Sequence, residues 1–135
     1  MSIDKAELVR DICGVWSRGD LEATLDLIHP DARWEPSGRF IGSGSTTYRG
    51  HTGVQRFWNL FREPWEDISL EPVDATEVDE TRLLTRTRFR GTGRASGIVT
   101  ETELFVIWTV EGGKVSRYQS FAERDQAMEA AGLST

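Results

Sequence analysis

The spacing of apolar residues changes once along this chain, and that change does most to limit the folds open to it. Up to about residue 63 the apolar side chains recur every three or four positions, as they do on amphipathic helices. From Trp65 onward they recur every second position, as they do on strands with one buried face. Helices first and hairpin-connected strands afterwards predict an α+β fold, with the helices packed on one face of an antiparallel sheet.

Local signals predict three helices in the first part of the chain. Asp4 begins the first helix as part of a capping box, and Gly19 ends it. Asp20 caps the second, which Pro30 stops because the residue before a proline avoids helical backbone. A second capping box that begins at Thr52 predicts a third helix, which runs to about residue 63.

Turn signals separate the strands that follow. A one-residue slip in the apolar alternation predicts a β-bulge at Pro72, and the pair Gly112 and Gly113 predicts a tight hairpin. The strand that contains Leu104 is apolar on both faces from that residue onward, so we expect it to be covered on both sides. A short last helix around residues 125–131 ends at Gly132. The predicted strands cover residues 32–35, 65–78, 82–90, 98–110 and 114–121.

Length and composition limit the class of protein. The 135 residues suit a single domain, 1–135, and a net charge of −6 argues against a general nucleic-acid binder. The longest apolar run, residues 104–107, is far too short to span a membrane, and the first residues lack the pattern of a secretory signal. Cys13 is the only cysteine, which excludes an internal disulfide and a cysteine-based metal site. We therefore expect a cytoplasmic protein that binds neither nucleic acid nor membrane.

Several short motifs, in this order and spacing, resemble SnoaL-like domains. These domains belong to the nuclear transport factor 2-like superfamily, which also contains ketosteroid isomerase. The resemblance implies a cone, in which a strongly curved antiparallel or mixed sheet wraps around three N-terminal helices and a short C-terminal helix follows. It also implies a homodimer through the outer sheet face and a cavity for a small hydrophobic ligand, with no cofactor and no metal. The motifs are residues 18–21 (RGDL), 29–32 (HPDA), 48–54 (YRGHTGV), 57–58 (FW) and 108–115 (WTVEGGKV).

Ketosteroid isomerase chemistry itself is not expected. The resemblance puts Ile12 where that enzyme has an oxyanion-holding tyrosine, and Pro36 where it has a carboxylate base. The oxyanion-holding acid falls near Leu104 or Val106, which are both apolar. All three polar groups of that mechanism are therefore missing from this sequence.

Epoxide hydrolases with this fold use an arginine between two acids to activate water, and two neighbouring predicted strands offer comparable residues. A hairpin between these strands would set Arg88 close to Glu101. The same hairpin would set Arg86 close to Glu103. The resemblance turns this face toward the cone interior, where Arg88 and Glu103 become candidate catalytic residues. The alternative is a cross-strand charge ladder on an exposed face. The residues concerned are Arg86, Arg88, Arg90, Glu101 and Glu103.

His51 is the third candidate catalytic residue and stands just before the predicted third helix. A helix N-terminus disfavours imidazolium, so this histidine would be neutral and could act as a base or as a hydrogen-bond donor. The alternative is an ordinary loop histidine that bonds to the backbone. His29 precedes a proline at a predicted helix end and is interpreted as structural, and the two histidines together give no metal-site pattern.

Aromatic side chains from separate parts of the chain are predicted to point inward. Such a cluster describes either the wall of a small-molecule pocket or a packed core, since aromatic residues bury large areas. The candidate ligand-binding residues are Trp16, Trp34, Phe40, Tyr48, Phe57, Trp58, Phe61, Val106 and Trp108.

Three functions remain open on this evidence. The first is a SnoaL-like protein that binds a polyketide, terpenoid or steroid-like metabolite in an apolar, Trp-lined cavity. It would act by cofactor-independent acid–base chemistry, as an isomerase, cyclase, dehydratase or epoxide hydrolase. The second is a non-catalytic binding or accessory homodimer that uses the same cavity. The third is a structural dimer whose core is filled.

Overall fold

The computed structural model describes residues 4–36 and 47–133, which form four helices and six strands. Within these ranges no helix combines the length and the apolar character that a membrane span needs. In chain order the elements are α1 (Lys5–Ser17), α2 (Leu21–Asp26), β1 (Ile28–Glu35), β2 (Tyr48–Arg49), α3 (Gly50–Arg62), β3 (Trp65–Glu77), β4 (Arg82–Gly93), β5 (Val99–Glu111), β6 (Lys114–Phe121) and α4 (Arg124–Ala131).

The first two helices begin where the sequence predicts. The side chain of Asp4 accepts hydrogen bonds from two backbone N–H groups in the first turn of α1, at 3.0 and 3.3 Å. Asp20 caps α2 in the same way, through the N–H of Ala23 at 3.0 Å. Gly19 lies between the helices with a φ of +77°, a left-handed backbone that glycine adopts without strain. Local side-chain and backbone chemistry therefore sets both boundaries.

The second helix is shorter than predicted, and the first strand is longer. α2 ends at Asp26, and residues 28–31 belong to β1 rather than to the helix. Pro30 therefore lies inside a strand, and the prediction that it stops the helix is wrong. The pairing of β1 with β6 shifts register between Ile28 and Arg33. Such an irregularity accommodates Pro30, which has no N–H to donate to a sheet.

The third helix begins before the predicted capping box. α3 starts at Gly50, and its N-cap residue Arg49 makes no side-chain cap bond, so the prediction that Thr52 caps the helix is wrong. The preceding residues form β2, a two-residue strand that the apolar pattern missed and that pairs with β1. Gly50 has a φ of +66°, and a Cβ there would lie 3.2 Å from the carbonyl oxygen of Pro30. The close approach of β1 therefore sets where α3 begins.

The six strands form one mixed sheet in the order β2-β1-β6-β5-β4-β3. β1 runs parallel to β6, and every other neighbouring pair is antiparallel. The pairing of β3 with β4 shifts register between Pro72 and Asp74, which confirms the predicted bulge. Gly112 and Gly113 both have positive φ between β5 and β6, which confirms the predicted hairpin. The sheet wraps around the N-terminal helices as the expected cone.

Helices lie on both faces of this sheet, so the prediction that they pack on one face holds only for the first three. On the inner face, side chains of α1, α3 and the strands share one continuous apolar cluster. On the outer face, α4 packs Ala127 and Ala131 against Leu84 of β4 and Ile107 of β5. The prediction that β5 is covered on both sides is confirmed, and α4 contributes the cover on its outer side.

Candidate functional site

A row of aromatic side chains crosses the inner face of the sheet on neighbouring strands. Trp34 of β1 is paired with Tyr48 of β2 on one side and with Tyr118 of β6 on the other. Trp108 of β5 continues the row, because it is paired with Tyr118. The rings of Trp34 and Tyr118 stack with 4.5 Å between centroids and 4° between planes, and Trp108 meets Tyr118 edge-on at 5.2 Å. Strand pairing thus assembles one aromatic wall from distant parts of the sequence.

Helices α1 and α3 supply the facing wall. Trp16 of α1 lies parallel to Trp34, with 6.1 Å between ring centroids and 3° between planes. Phe57 and Phe61, one turn apart on α3, lie 5.8 and 5.9 Å from the ring of Trp16. The apolar stripe that predicts α3 therefore also brings these two rings to the wall.

A small apolar cavity of about 20 Å³ lies between the two walls. A cavity of this volume holds about one water molecule, so a ring-sized ligand requires the two walls to move apart. Five of the predicted ligand-binding residues line it: Trp16, Trp34, Phe57, Phe61 and Trp108. The lining also contains five residues that the sequence pattern missed: Ile12, Cys13, Leu70, Leu104 and Tyr118.

The other predicted ligand-binding residues are not part of the described lining. Tyr48 packs behind it, against α3. Trp58 packs 4.7 Å from the ring of Trp16, and Val106 is buried beside the wall. Phe40 lies outside the described residues.

Signals in the sequence could have identified some of the missed residues. Ile12 and Leu104 occupy positions that the family resemblance assigns to the oxyanion-holding groups of ketosteroid isomerase, and both border the cavity. Tyr118 lies opposite Trp108 across the hairpin that two consecutive glycines predict. This chain therefore keeps those positions at the cavity but fills them with apolar side chains.

The described lining contains no carboxylate, imidazole, ammonium or guanidinium group. Its polar side-chain atoms are the Cys13 thiol, the Tyr118 hydroxyl and three indole N–H groups. Among residues 4–36 and 47–133, no three His, Cys, Asp or Glu side chains come together as metal ligands would. The lining described here is therefore largely aromatic and carries no charged group.

Two of these polar groups are held in their neutral forms. Burial raises the pKa of the Cys13 thiol to about 12, so the nucleophilic thiolate is scarce at neutral pH. Burial also raises the pKa of Tyr118 to about 12, although a hydrogen bond with Ser120 opposes the shift. Tyr118 therefore keeps its hydroxyl hydrogen at neutral pH.

The indole N–H groups of the lining differ in their partners. Nε1 of Trp108 donates to the hydroxyl of Thr85 at 2.8 Å. Nε1 of Trp16 and Nε1 of Trp34 are buried, and neither finds an acceptor in the described part of the chain. A buried donor without an acceptor costs about 1–3 kcal/mol of stability. Two of the three lining tryptophans thus have an indole N–H that is buried without a partner among the described residues.

His51 does not line the cavity. It lies in the first turn of α3, and its Nε2 donates to the backbone carbonyl of Ile28 on β1 at 2.8 Å. A carbonyl can only accept, so Nε2 carries the hydrogen and is not available as a base. His29 accepts a hydrogen bond from the backbone N–H of Asp31 at 3.0 Å. Both contacts correspond to the structural interpretation of these histidines.

Arg88 and Glu103 lie on the outer face of the sheet, away from the cavity. Thr87 and Phe89, which flank Arg88 along β4, are buried toward the inner face. Alternation along a strand places Arg88 on the opposite face. The expectation that these arginines turn toward the cone interior is therefore wrong. The physical reason is the cost of burying guanidinium groups in an apolar cone.

The charged side chains of this face form the ladder that was the alternative interpretation. Arg86 is held between two acids, by Asp74 at 2.9 Å and by Glu103 of β5. The hydrogen bonds that Arg86 donates to Asp74 and Glu103 raise the pKa of Arg86 above its ordinary value. Arg88 approaches Glu101 at 4.0 Å. Both predicted cross-strand contacts are confirmed, and they lie on a face where exposed ion pairs contribute little to stability.

Comparisons with known proteins agree with this fold. A Mycobacterium sp. Δ5-3-ketosteroid isomerase matches with a TM-score of 0.73 and 17% identity, over 89% of this chain and 93% of that chain. A Mycobacterium tuberculosis protein in complex with estradiol-17β-hemisuccinate matches with a TM-score of 0.73 and 14% identity, over 89% and 94%. A Catenulispora acidiphila protein with a ketosteroid isomerase-like fold, in complex with trimethylamine, matches with a TM-score of 0.75 and 13% identity, over 97% and 96%.

At these identities the structural likeness establishes the fold and not the activity. No curated protein matches the chain. The family model of the SnoaL-like domain matches residues 9–118, which span both walls of the cavity. The aromatic cone described above is therefore that of a known family: this chain belongs to the SnoaL-like domain family.

Proposed function

We propose that this protein binds a small, flat and largely apolar molecule in its aromatic cavity. The observation that carries the proposal is the aromatic lining of the cavity, a space of about 20 Å³ between the helix wall at Trp16 and the sheet wall at Trp34 and Tyr118. Aromatic rings form offset-stacked or edge-to-face pairs with other ring systems. Because the cavity holds only about one water molecule, the two aromatic walls must separate to admit such a ligand.

Ligands of proteins with the same fold support this proposal. The Mycobacterium tuberculosis relative is in complex with estradiol-17β-hemisuccinate, and another relative is a ketosteroid isomerase. Both favour a polycyclic and largely apolar ligand for this chain as well. Steroid-like, polyketide and terpenoid rings are the classes of metabolite with this character.

Binding without acid–base chemistry is the form of the proposal that the described lining supports. General acid–base catalysis needs a proton acceptor within hydrogen-bond reach of the substrate. The described lining offers no carboxylate and no imidazole. His51 bonds to the backbone, and the Arg88 side chain lies on the outer face. A ligand-binding or accessory role is therefore the first candidate.

A reaction on the bound molecule is the second candidate, and Tyr118 is the observation that favours it. Its hydroxyl belongs to the cavity lining and is protonated at neutral pH, and burial raises its pKa further, from 10.0 to about 12. A hydroxyl in an apolar site can stabilise negative charge that develops on a substrate oxygen in the transition state. This candidate predicts an isomerase-, cyclase- or hydrolase-type product, whose rate of formation falls about tenfold or more in Tyr118→Phe.

Titration of the intrinsic tryptophan fluorescence tests the binding proposal. Steroids, anthraquinones, terpenoid epoxides and fatty acids are added separately, and a ring compound should quench the emission saturably at micromolar concentration. Cys13→Met and Leu70→Phe add bulk to the lining, and each should weaken binding about tenfold. Arg88→Ala changes the outer face only and should leave the affinity unchanged.

Two further measurements complete this experiment. Circular dichroism shows that each variant is folded before its affinity is compared, and liquid chromatography of the recovered ligand separates binding from reaction. Absence of a saturable response to every compound, or equal affinity in both bulkier variants, contradicts the proposal. The structural dimer with a filled core would then be the better interpretation.

We also propose that the protein forms a homodimer through the outer face of the sheet. α4 covers the apolar part of that face, and the strands beside it carry rows of opposite charge. In a twofold dimer the same surface meets itself, so acidic and basic rows can pair between copies. An interface of this kind weakens as salt screens the charges.

A further inference from the structure

The strand pairing that builds the aromatic row on the inner face of the sheet also builds a row of arginines on the outer face. Arg33 of β1 is paired with Arg49 of β2 on one side and with Arg117 of β6 on the other. Each arginine is next in the chain to a member of the aromatic row, so alternation along the strands turns it to the opposite face. The arginine row (Arg49, Arg33 and Arg117) therefore occupies directly opposed positions on three neighbouring strands.

The arginine row is exposed and only partly neutralised. The side chains of Arg33 and Arg117 are 47% and 39% exposed, and Arg49 is also exposed. Glu35 of β1 lies 3.1 Å from Nη2 of Arg33 and 2.9 Å from Nη2 of Arg117. Within residues 4–36 and 47–133, the side chain of Arg49 has no ion pair and no hydrogen bond. The ion pairs of the row therefore leave an excess of positive charge.

Arginines elsewhere on the same face are arranged differently. On β4, Arg86 contacts Asp74 and Glu103, and Arg88 lies opposite Glu103 across the strand pair. Like charges that lie directly opposite each other destabilise a sheet, so the arginine row breaks the rule that β4 follows. Departures of this kind are expected at functional surfaces, where a partner supplies the missing interaction.

We infer that the arginine row is a docking surface for an α-helix of a partner protein that carries acidic side chains along one face. Neighbouring strands lie about 4.8 Å apart, so the row is about 10 Å long. Acidic residues at positions i, i+4 and i+7 of a helix are about 5–6 Å apart on one face and together span about 10 Å. A guanidinium fork bonds a carboxylate through two N–H groups, and arginine clusters recognise acidic motifs in this way.

Spacing and charge favour this partner over other anions. Side chains on one face of an extended peptide are about 6.6 Å apart, which does not match the spacing of the row. The net charge of −6 repels a long polyanion such as nucleic acid, whereas a helix presents its acidic face locally. A single phosphate group could contact two neighbouring arginines, but not all three over about 10 Å.

Two alanine-rich peptides of about 20 residues test the inference. One carries glutamates at i, i+4 and i+7 on one face of the helix, and the other has the same composition with the glutamates spread around it. Circular dichroism checks that both are equally helical, and titration followed in ¹H–¹⁵N spectra gives the Kd of each. At low salt the one-faced peptide should bind at least about threefold more tightly, move the amide signals of the arginine row, and weaken as salt is added.

Arg49→Gln and Arg90→Gln form a matched pair of variants. Both remove one positive charge from an exposed arginine, but Arg90 lies on β4, outside the row. Arg49→Gln should raise the Kd of the one-faced peptide about three- to fivefold, and Arg90→Gln should leave it near the wild-type value. Equal affinity of the wild-type protein for the two peptides, or equal weakening by the two substitutions, overturns the inference.

Two other occupants of the arginine row are separate outcomes. Inorganic diphosphate that binds at the row more tightly than the one-faced peptide would overturn the inference in favour of a small phosphate-bearing ligand. The proposed homodimer uses α4 and the charged rows of β4 and β5, so the light-scattering mass should be the same in Arg49→Gln and the wild type. A lower mass in Arg49→Gln would overturn the inference, because the row would then be a contact between copies of this chain. None of these measurements needs a ligand in the aromatic cavity, so their outcome is independent of the proposed binding function.

Discussion

Replacing Thr85 by valine should destabilise this protein, although the substitution barely changes the volume of the core. Thr85 is completely buried, and its hydroxyl accepts the indole N–H of Trp108 at 2.8 Å. The same hydroxyl shares a hydrogen bond with Thr87 at 2.9 Å. Valine has the same shape but cannot form either bond. The Trp108 N–H and the Thr87 hydroxyl would then be buried without these partners.

The size of the effect follows from those two groups. A buried polar group that loses its partner costs about 1–3 kcal/mol, and relaxation of the two neighbours together with the gain of a buried methyl offsets part of the sum. We therefore expect the free energy of unfolding to fall by about 1–3 kcal/mol. At about 4 °C per kcal/mol for a chain of 135 residues, the melting temperature should fall by about 4–12 °C.

Urea unfolding followed by far-ultraviolet circular dichroism measures this change. We prefer circular dichroism to tryptophan fluorescence, because fluorescence would also report the altered surroundings of Trp108. Thr87→Val leaves the bond between Trp108 and Thr85 intact and should cost less, about 0.5–1.5 kcal/mol. In a Trp108→Phe background, Thr85→Val should cost at least about 0.5 kcal/mol less than in the wild type. The reasoning is refuted if Thr85→Val is as stable as the wild type, or if the two sites show no coupling.

Two further predictions concern alkaline pH and assembly. Burial raises the pKa of Cys13 from 9.0 and that of Tyr118 from 10.0 to about 12 each, so folding favours their neutral forms. This contribution to stability is complete below about pH 9 and is lost as the pH rises toward about 12. The loss of stability should be smaller in Tyr118→Phe. Urea midpoints that do not change between about pH 9 and about pH 12 would contradict this prediction. The proposed homodimer should have a light-scattering mass of twice 15.2 kDa at low salt, which falls toward 15.2 kDa at about 1 M salt. A monomer mass at every salt concentration would count against the dimer.

Most element boundaries of this fold follow from signals within a few residues of each other. Asp4 and Asp20 mark helix starts because their side chains satisfy nearby backbone N–H groups. The hairpin at Gly112 and the bulge at Pro72 also depend on local backbone preferences. These signals lie within the local sequence itself, so a single sequence is enough to predict them.

The errors in prediction occur where residues distant in the sequence determine the local structure. Residues 28–31 belong to a strand because β1 pairs with β6, whereas the local sequence alone allowed the second helix to continue up to Pro30. Arg88 faces outward because Thr87 and Phe89 take the buried positions of β4. A strand shows opposite sets of side chains on its two faces, so a one-residue difference in register reverses the assignment of every side chain.

The cavity shows the same division between local pattern and long-range packing. Helical and strand periodicity already mark Trp16, Trp34 and Trp108 as inward-facing residues. The parallel pairing of β1 with β6 is what sets Trp34 beside Tyr118, and the packing of α1 on the sheet is what sets Trp16 parallel to Trp34. A ring that borders a cavity and a ring that fills a core have the same periodicity, because the difference lies in how distant side chains fit together in three dimensions.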